Sequence, residues 1–226
     1  MTESPAPVTD LLHPTLLPLG EAALIVEFGS TIDLATNLRV HALAHWLDAN
    51  PHPGYLENTP GYATLVVHFE PRAARFDDIV NWTRAGLTNI HIEMADESPV
   101  IEIPTVYGGE FGPDLSFVAQ LNRLTERQVI EIHSTPIYRV YMLGFAPGFA
   151  YLGELPAEVA APRLDTPRTR VPAGSVAIAG RQTGVYPRES PGGWRLIGRT
   201  GVRLFDASRE SPTLLKPGGR VRFVPV

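Results

Sequence analysis

Residues 138–203 carry ten of the 20 glycines and seven of the 22 prolines of this 226-residue chain within 66 positions. Glycine opens the positive-φ region, and proline fixes φ at about −65° and removes a donor, so neither a long helix nor a long strand can run through such a stretch. A flexible linker has the same breakers. It lacks the interleaved Phe145, Phe149, Tyr151, Tyr186 and Trp194 and the apolar run Ser175-Val-Ala-Ile-Ala179 found here. The segment is therefore predicted to fold as short strands joined by tightly specified turns. Its charge also sets it apart. Nine Arg and no Lys stand against Glu154, Glu158, Asp165 and Glu189, a net of +5 in a chain of formal charge −5, which leaves −10 on the remainder.

Charge and composition remove several function classes. The only lysine is Lys216, so there is no GK[ST] phosphate loop, and any anion held here must be held by Arg forks. With no cysteine there is no disulfide, thiol nucleophile or Cys-ligated metal. The acidic balance argues against general nucleic-acid binding. No apolar run approaches the roughly 18 residues of a membrane-spanning helix, and the opening MTESPAPVTD has neither a basic nor an apolar stretch. A cytoplasmic location is expected.

The length fits one large or two small domains, and the patterning favours two. Residues 1–15 are polar and proline-punctuated and are expected to be disordered. Over residues 16–96, the alternation of Leu24, Val26 and Phe28 predicts a strand, and Asp33 caps a helix carrying Leu34, Leu38, Leu43, Trp46 and Leu47. Strands at 55–59 and 63–69 flank Pro60-Gly61, followed by a helix over 76–87 and a strand at 90–94. The order βαββαβ predicts a ferredoxin-like α+β domain. Residues 97–226 open with a strand at 100–104 and two short helices at 114–122 and 125–133, the second with Thr125 and Gln128 spaced as a capping box. Short strands follow at 139–143, 175–179, 184–187, 194–199, 202–205 and 220–224, and their number predicts a closed, irregular β-barrel.

Three strings in the Gly/Pro/Arg segment carry candidate chemistry. In LGFAPGFAYLG, Phe145, Phe149 and Tyr151 surround Pro147-Gly148, so the aromatics either wall a ligand site or pack as core around a barrel corner. In PRTRVPAGS, Arg168 and Arg170 fall on one side of an extended segment ahead of Gly174-Ser175, whose N–H groups would be accessible. That pattern suits a carboxylate or phosphate clamp, with solvated or partner-paired arginines as the alternative. GRQTGVYPRESPGG adds Arg181, Gln182, Thr183, Tyr186, Arg188, Glu189 and Ser190, several of which are expected to line a polar site. Proton-transfer groups are scarce, with no His from residue 136 onward, no suggestively spaced carboxylate pair and no Gly-x-Ser-x-Gly elbow. His133, the nearest imidazole, is expected to cap or pack. The chain alone is not expected to catalyse a reaction.

YRVYMLGFAPGFAYLGELP (138–156), TPRTRVPAGSVAIAGRQTGVYP (166–187), SPGGWRLIGRT (190–200) and the C-terminal PGGRVRFVPV, together with IPTVYGGEFGPDL (103–115) and LGEAALIVEFG (19–29), resemble the KipI family. That family includes the B subunit of 5-oxoprolinase and proteins called allophanate hydrolase subunit 1, and the resemblance spans nearly the whole chain. It implies a ferredoxin-like N-terminal domain followed by a cyclophilin-like β-barrel. It also implies one component of an ATP-dependent 5-oxoprolinase that opens the lactam of 5-oxoproline to glutamate. The implied partner resembles the C subunit of 5-oxoprolinase, a protein of related fold also called allophanate hydrolase subunit 2, in a heterotetramer, with the A subunit joining them in the full enzyme. ATP with Mg would bind on this chain or be shared with the partner. On that reading Arg168, Arg170, Gln182 and Glu189 are candidate catalytic residues. Phe145, Pro147, Gly148, Phe149, Tyr151, Gly174, Ser175, Arg181, Thr183 and Tyr186 are candidate substrate-binding residues, and no metal ligand is assigned. The family also implies two alternatives, an inhibitor of a sporulation histidine kinase and a component related to allophanate hydrolase or urea carboxylase.

Overall fold

The computed structural model describes residues 14–92 and 99–226, and the chain divides into two compact units, residues 1–94 and 95–226. The first contains β1 (Thr15–Pro18), β2 (Ala23–Glu27), α1 (Leu34–Ala49), β3 (Tyr55–Pro60), β4 (Thr64–Phe69) and α2 (Phe76–Asn89). The strands form one antiparallel sheet in the order β1-β2-β4-β3. Leu24, Val26, Leu65, Val67 and Phe69 of the sheet are buried with Val40, Leu43 and Leu47 of α1 and Ile79 of α2. As expected, Asp33 starts α1, its carboxylate accepting the Thr36 N–H at 2.9 Å.

The element order departs from the expected βαββαβ. Thr15 lies in an edge strand rather than in a disordered tail, and residues 1–13 lie outside the described residues. Ile90, His91 and Ile92 form no strand after α2, while Glu93 and Met94 of that expected strand are outside the described residues. The described order is thus ββαββα. The reason is local. β1 is mostly exposed and held by backbone pairing to β2, so it shows no alternating apolar face to read.

The second unit contains β5 (Val100–Tyr107), α3 (Leu115–Leu121), α4 (Glu126–Ser134), β6 (Tyr138–Leu143), β7 (Ala150–Gly153), β8 (Arg168–Val171), β9 (Ser175–Ala179), β10 (Gln182–Val185), β11 (Ser190–Gly192), β12 (Arg195–Arg199) and β13 (Arg220–Pro225). Seven strands close a barrel in the order β10-β7-β6-β13-β5-β12-β9, sealed by the β9–β10 hairpin. The other neighbours are antiparallel, but β13 runs parallel to β5 from Val100↔Arg220 to Thr105↔Pro225. Strands β8 and β11 form a separate two-stranded ribbon. The expected strand at 202–205 is absent, since Phe205 makes only an isolated bridge to Thr213.

Ile103, Val140, Leu152, Val176, Ile178, Val185, Ile197 and Phe223 fill the barrel core together with Leu115 and Val118 of α3 and Val129 of α4. The Thr125–Gln128 capping box forms in both directions, at 3.2 Å and 2.9 Å. Closing so small a barrel with short strands brings backbones very near one another. Gly174 has φ +80°, and a Cβ there would lie 2.1 Å from the Thr200 carbonyl oxygen, whereas Gly180 has φ +55° with nothing within 4 Å. Gly180→Ala is expected to cost about 1–2 kcal/mol from left-handed backbone alone, and Gly174→Ala roughly 3 kcal/mol or more because backbone must also move. Chemical denaturation of the two variants checks this, and equal losses would contradict a tight crossing at Thr200.

Candidate functional site

The segment between β6 and β7 turns twice within six residues. Ala146 N–H donates to Gly144 O at 2.7 Å across Phe145, and Gly144 N–H donates to Phe149 O at 3.1 Å. Such an i to i+2 turn with φ +64° at a phenylalanine stores backbone strain, and strain of this kind collects at functional sites. It leaves Phe145 61% exposed. Gly148, at φ +81°, lets the turn sit directly on residues 204–205, because a Cβ there would meet the Phe205 Cβ at 2.8 Å.

Behind Phe145 lies a cluster of rings in edge-on contact. Phe145 meets Phe149 at 5.4 Å and Tyr186 at 6.1 Å, and Phe149 meets Tyr151, Tyr186 and Trp194 at 4.8, 5.3 and 5.5 Å. Edge-to-face geometry at these separations is attractive beyond area burial alone. Phe149, Tyr186 and Trp194 are buried, so the expected aromatic wall is mostly core. Phe145, Pro147 and part of Tyr151 are what it offers to solvent, and Gly148 is buried.

Arg163 reaches this cluster from the chain between β7 and β8. Its Cζ lies 5.9 Å from the Trp194 ring centre. Burial pushes the hydroxyl pKa of both Tyr151 and Tyr186 up, and the nearby Arg163 charge partly opposes it. The backbone of Trp194 and the charge of Arg168 also act against the rise at Tyr186. Gly192 is required beside it, since a Cβ there would lie 2.3 Å from the Tyr186 hydroxyl.

The expected two-arginine clamp does not form. Arg168 Nη2 donates to Asp114 Oδ1 at 2.9 Å, and Asp114 Oδ2 accepts the Leu196 N–H at 2.7 Å. Arg170 turns instead to Glu189, at 2.7 Å, with both side chains well exposed. Two guanidiniums two residues apart are thus committed to different carboxylates. Arg181 likewise pairs with Glu154 at 2.9 Å on the surface. The N–H groups of Gly174 and Ser175 are also not accessible. Gly174 donates to Tyr186 O at 2.8 Å, and Ser175 donates both its N–H and its hydroxyl to Pro172 O, at 3.3 and 2.8 Å. Gln182 is half-buried at the start of β10.

Thr183 was expected at a substrate site and is instead sealed in the barrel with His133. Its hydroxyl donates to Ala177 O at 3.1 Å and so accepts from His133 Nε2–H at 2.8 Å. That fixes the imidazole as the Nε2–H tautomer, leaving Nδ1 to accept the Tyr107 hydroxyl at 2.7 Å. The ring packs 4.6 Å from Phe223. Burial pushes the His133 pKa down to about 3 and raises the Tyr107 hydroxyl well above its ordinary value. His133 is therefore neutral and structural. Among the described residues no group of three or more His, Asp or Glu side chains is arranged to hold a metal ion.

This closed barrel, with two helices packed into its core and an Arg-bearing ribbon beside it, accompanies a match to carboxyltransferase-type domains. Residues 14–215 match the family model "Carboxyltransferase domain, subdomain C and D", and the chain belongs to that family. It is 43% identical over 216 residues to the B subunit of 5-oxoprolinase from Bacillus subtilis (strain 168), covering 91% of this chain and 90% of that protein. It is 46% identical over 208 residues to the B subunit of the same enzyme from Escherichia coli O157:H7, covering 92% and 94%. The solved structure of TTHA0988 superposes with a TM-score of 0.80 at 42% identity, over 90% of this chain and 40% of that one, so the chain spans 40% of that protein's length.

Sequence reasoning missed Arg163 and Asp114. The first is one of nine arginines in its segment with nothing in its spacing to mark it, and the second acts on a partner 54 residues away. Asp114→Ala leaves Arg168 without its carboxylate and the Leu196 N–H without an acceptor, and a loss of about 3 kcal/mol is expected by denaturation. Arg170→Ala removes an exposed pair and should cost at most about 0.5 kcal/mol. Stability should also depend on pH through His133. Because folded His133 titrates near 3 and the unfolded residue near 6.5, its contribution is complete above about pH 6.5 and is lost as pH falls toward 3. Stability should fall by up to about 1.4 kcal/mol per pH unit in that window, and His133→Gln should flatten the slope in thermal melts between pH 7 and 5.

Proposed function

We propose that this chain is the B subunit of an ATP-dependent 5-oxoprolinase that opens the lactam of 5-oxoproline to glutamate. The observation that carries the reading is 43% and 46% identity to the B subunits of two 5-oxoprolinases, over at least 90% of each chain. A five-membered lactam is an unstrained, resonance-stabilised amide, so ring opening needs coupling. The lactam oxygen attacks the γ-phosphorus of ATP and ADP leaves. Water then adds to the activated carbon, and the C–N bond breaks as the nitrogen takes up a proton, leaving an acyl phosphate. A second water displaces phosphate from it. The balance is 5-oxoproline, ATP and two waters giving glutamate, ADP and phosphate.

Such a path needs cationic clamps on phosphoryl oxygens, donors for the substrate carboxylate, and an acid–base pair. This chain contributes rigid aromatic surface and guanidiniums. Its buried imidazole is tied at both ring nitrogens and is out of reach of a substrate. The acid and base are therefore assigned to a partner like the C subunit of 5-oxoprolinase, in a heterotetramer, with the A subunit in the full enzyme. A longer relative, of which this chain spans 40%, supports a partner by having room for one on the same polypeptide. ATP is a co-substrate of the complex. Among the described residues no helix is long and apolar enough to cross a membrane, and a cytoplasmic complex fits the reading.

The test is release of ADP and glutamate from 5-oxoproline and ATP, using this chain alone and with its co-purified partner. Turnover is expected only with both. An inactive intact complex that instead suppresses histidine-kinase autophosphorylation would replace this reading with the inhibitor.

A further inference from the structure

Around Tyr186 the neighbouring acceptors leave buried polar groups unmet. Arg168 Nη1 is buried without a hydrogen-bond partner although Nη2 is held by Asp114, and Ser190 Oγ on the neighbouring strand β11 is buried and unpartnered as well. Leaving a buried donor unmet costs about 1–3 kcal/mol, and native proteins keep few such groups. Arg163 is exposed over Trp194 and, among the described residues, has no carboxylate partner, whereas Arg168, Arg170, Arg181, Arg203, Arg209 and Arg222 each have one. The phenol hydroxyls of Tyr151 and Tyr186 lie within electrostatic reach of Arg163. The Tyr186 hydroxyl packs against the backbone of Gly192, where a Cβ would lie 2.3 Å from it, and Gly192 pairs with Arg168 in the β8–β11 ribbon.

We infer that Arg163, Arg168, Tyr151 and Tyr186 form a subsite for the carboxylate of a small cyclic monocarboxylic acid. Two guanidiniums less the Asp114 charge leave one uncompensated positive charge, which matches a monoanion better than a phosphate dianion. Arg163 closes on the carboxylate from the solvent side, the inward Nη1 of Arg168 donates from below, and the tyrosine hydroxyls fix orientation. Arg168 is thereby a positioned donor whose angle Asp114 sets, and Arg170 has no part in the site. The subsite deepens the proposed function and rests on it only for the identity of the acid, 5-oxoproline.

Titration calorimetry on the full chain and on its complex with the partner tests this, with 5-oxoproline, 2-pyrrolidinone (the same lactam without the carboxylate), 2-furoate and inorganic phosphate as probes. Arg163→Gln should weaken 5-oxoproline binding about 10-fold or more, as loss of a charge-assisted bond implies. Tyr186→Phe, which keeps the buried ring, should weaken it several-fold, and 2-pyrrolidinone affinity should be unchanged in both. Unchanged 5-oxoproline affinity in Arg163→Gln, an equal loss for 2-pyrrolidinone, or a wild-type preference for phosphate would overturn the subsite. Binding of 2-furoate that depends on Arg163, with no binding or turnover of 5-oxoproline by the complex, keeps the subsite and removes the 5-oxoprolinase reading. Turnover of 5-oxoproline with an unaltered KM in Arg163→Gln does the reverse.

Discussion

The carboxylate of Asp114 holds the functional half of the barrel unit together. It lies just before α3, is only 7% exposed, and uses both oxygens, one on the Arg168 guanidinium and one on the backbone of Leu196. A charge removed from water must recover its hydration through charge-assisted bonds, so its geometry is dictated by its partners. Here the partners belong to the ribbon strand β8 and the barrel strand β12. One side chain thus fixes the start of a helix, an outer ribbon and a barrel wall against each other. The direction in which Arg168 points its remaining nitrogen is a by-product of that tie.

The buried polar groups of this unit divide by what they leave unmet. The Tyr107–His133–Thr183–Ala177 chain is satisfied at every member, which specifies the packing of α4 against the barrel and leaves nothing to offer a ligand. Around Tyr186 the balance is the opposite, with an excess of donors at the foot of a strained turn. The same barrel therefore carries one network built for order and one surplus suited to recognition.

Elements whose signals are local were legible in the sequence. Asp33, Thr125 and Gln128 mark helix starts by their own hydrogen bonds, and the apolar run at 175–179 became β9, buried throughout. Strands defined by what they pair with were not. β1 has no buried face, and β8 (Arg-Thr-Arg-Val, buried only at Val171) and β11 (Ser-Pro-Gly) are short runs that only their mutual pairing makes strands. The site followed the same rule. The Gly/Pro/Arg segment does hold the exposed Phe145 and the donors around Tyr186. The Arg168–Arg170 spacing, however, could not reveal that Asp114 and Glu189 draw the two guanidiniums apart, nor that hydroxyls at Ser175 and Thr183 are consumed inside the fold.

The parallel seam between β5 and β13 has a topological outcome. An antiparallel closure would return the last strand to where the first began. Here the two strands climb together, and the Val226 N–H donates to Thr105 O beside the far end of β5. The polypeptide enters the barrel at Val100 and leaves it about five residues of rise away, roughly 16 Å along the same wall. A segment appended after Val226 would therefore depart from the opposite rim of the barrel to the one where the chain came in.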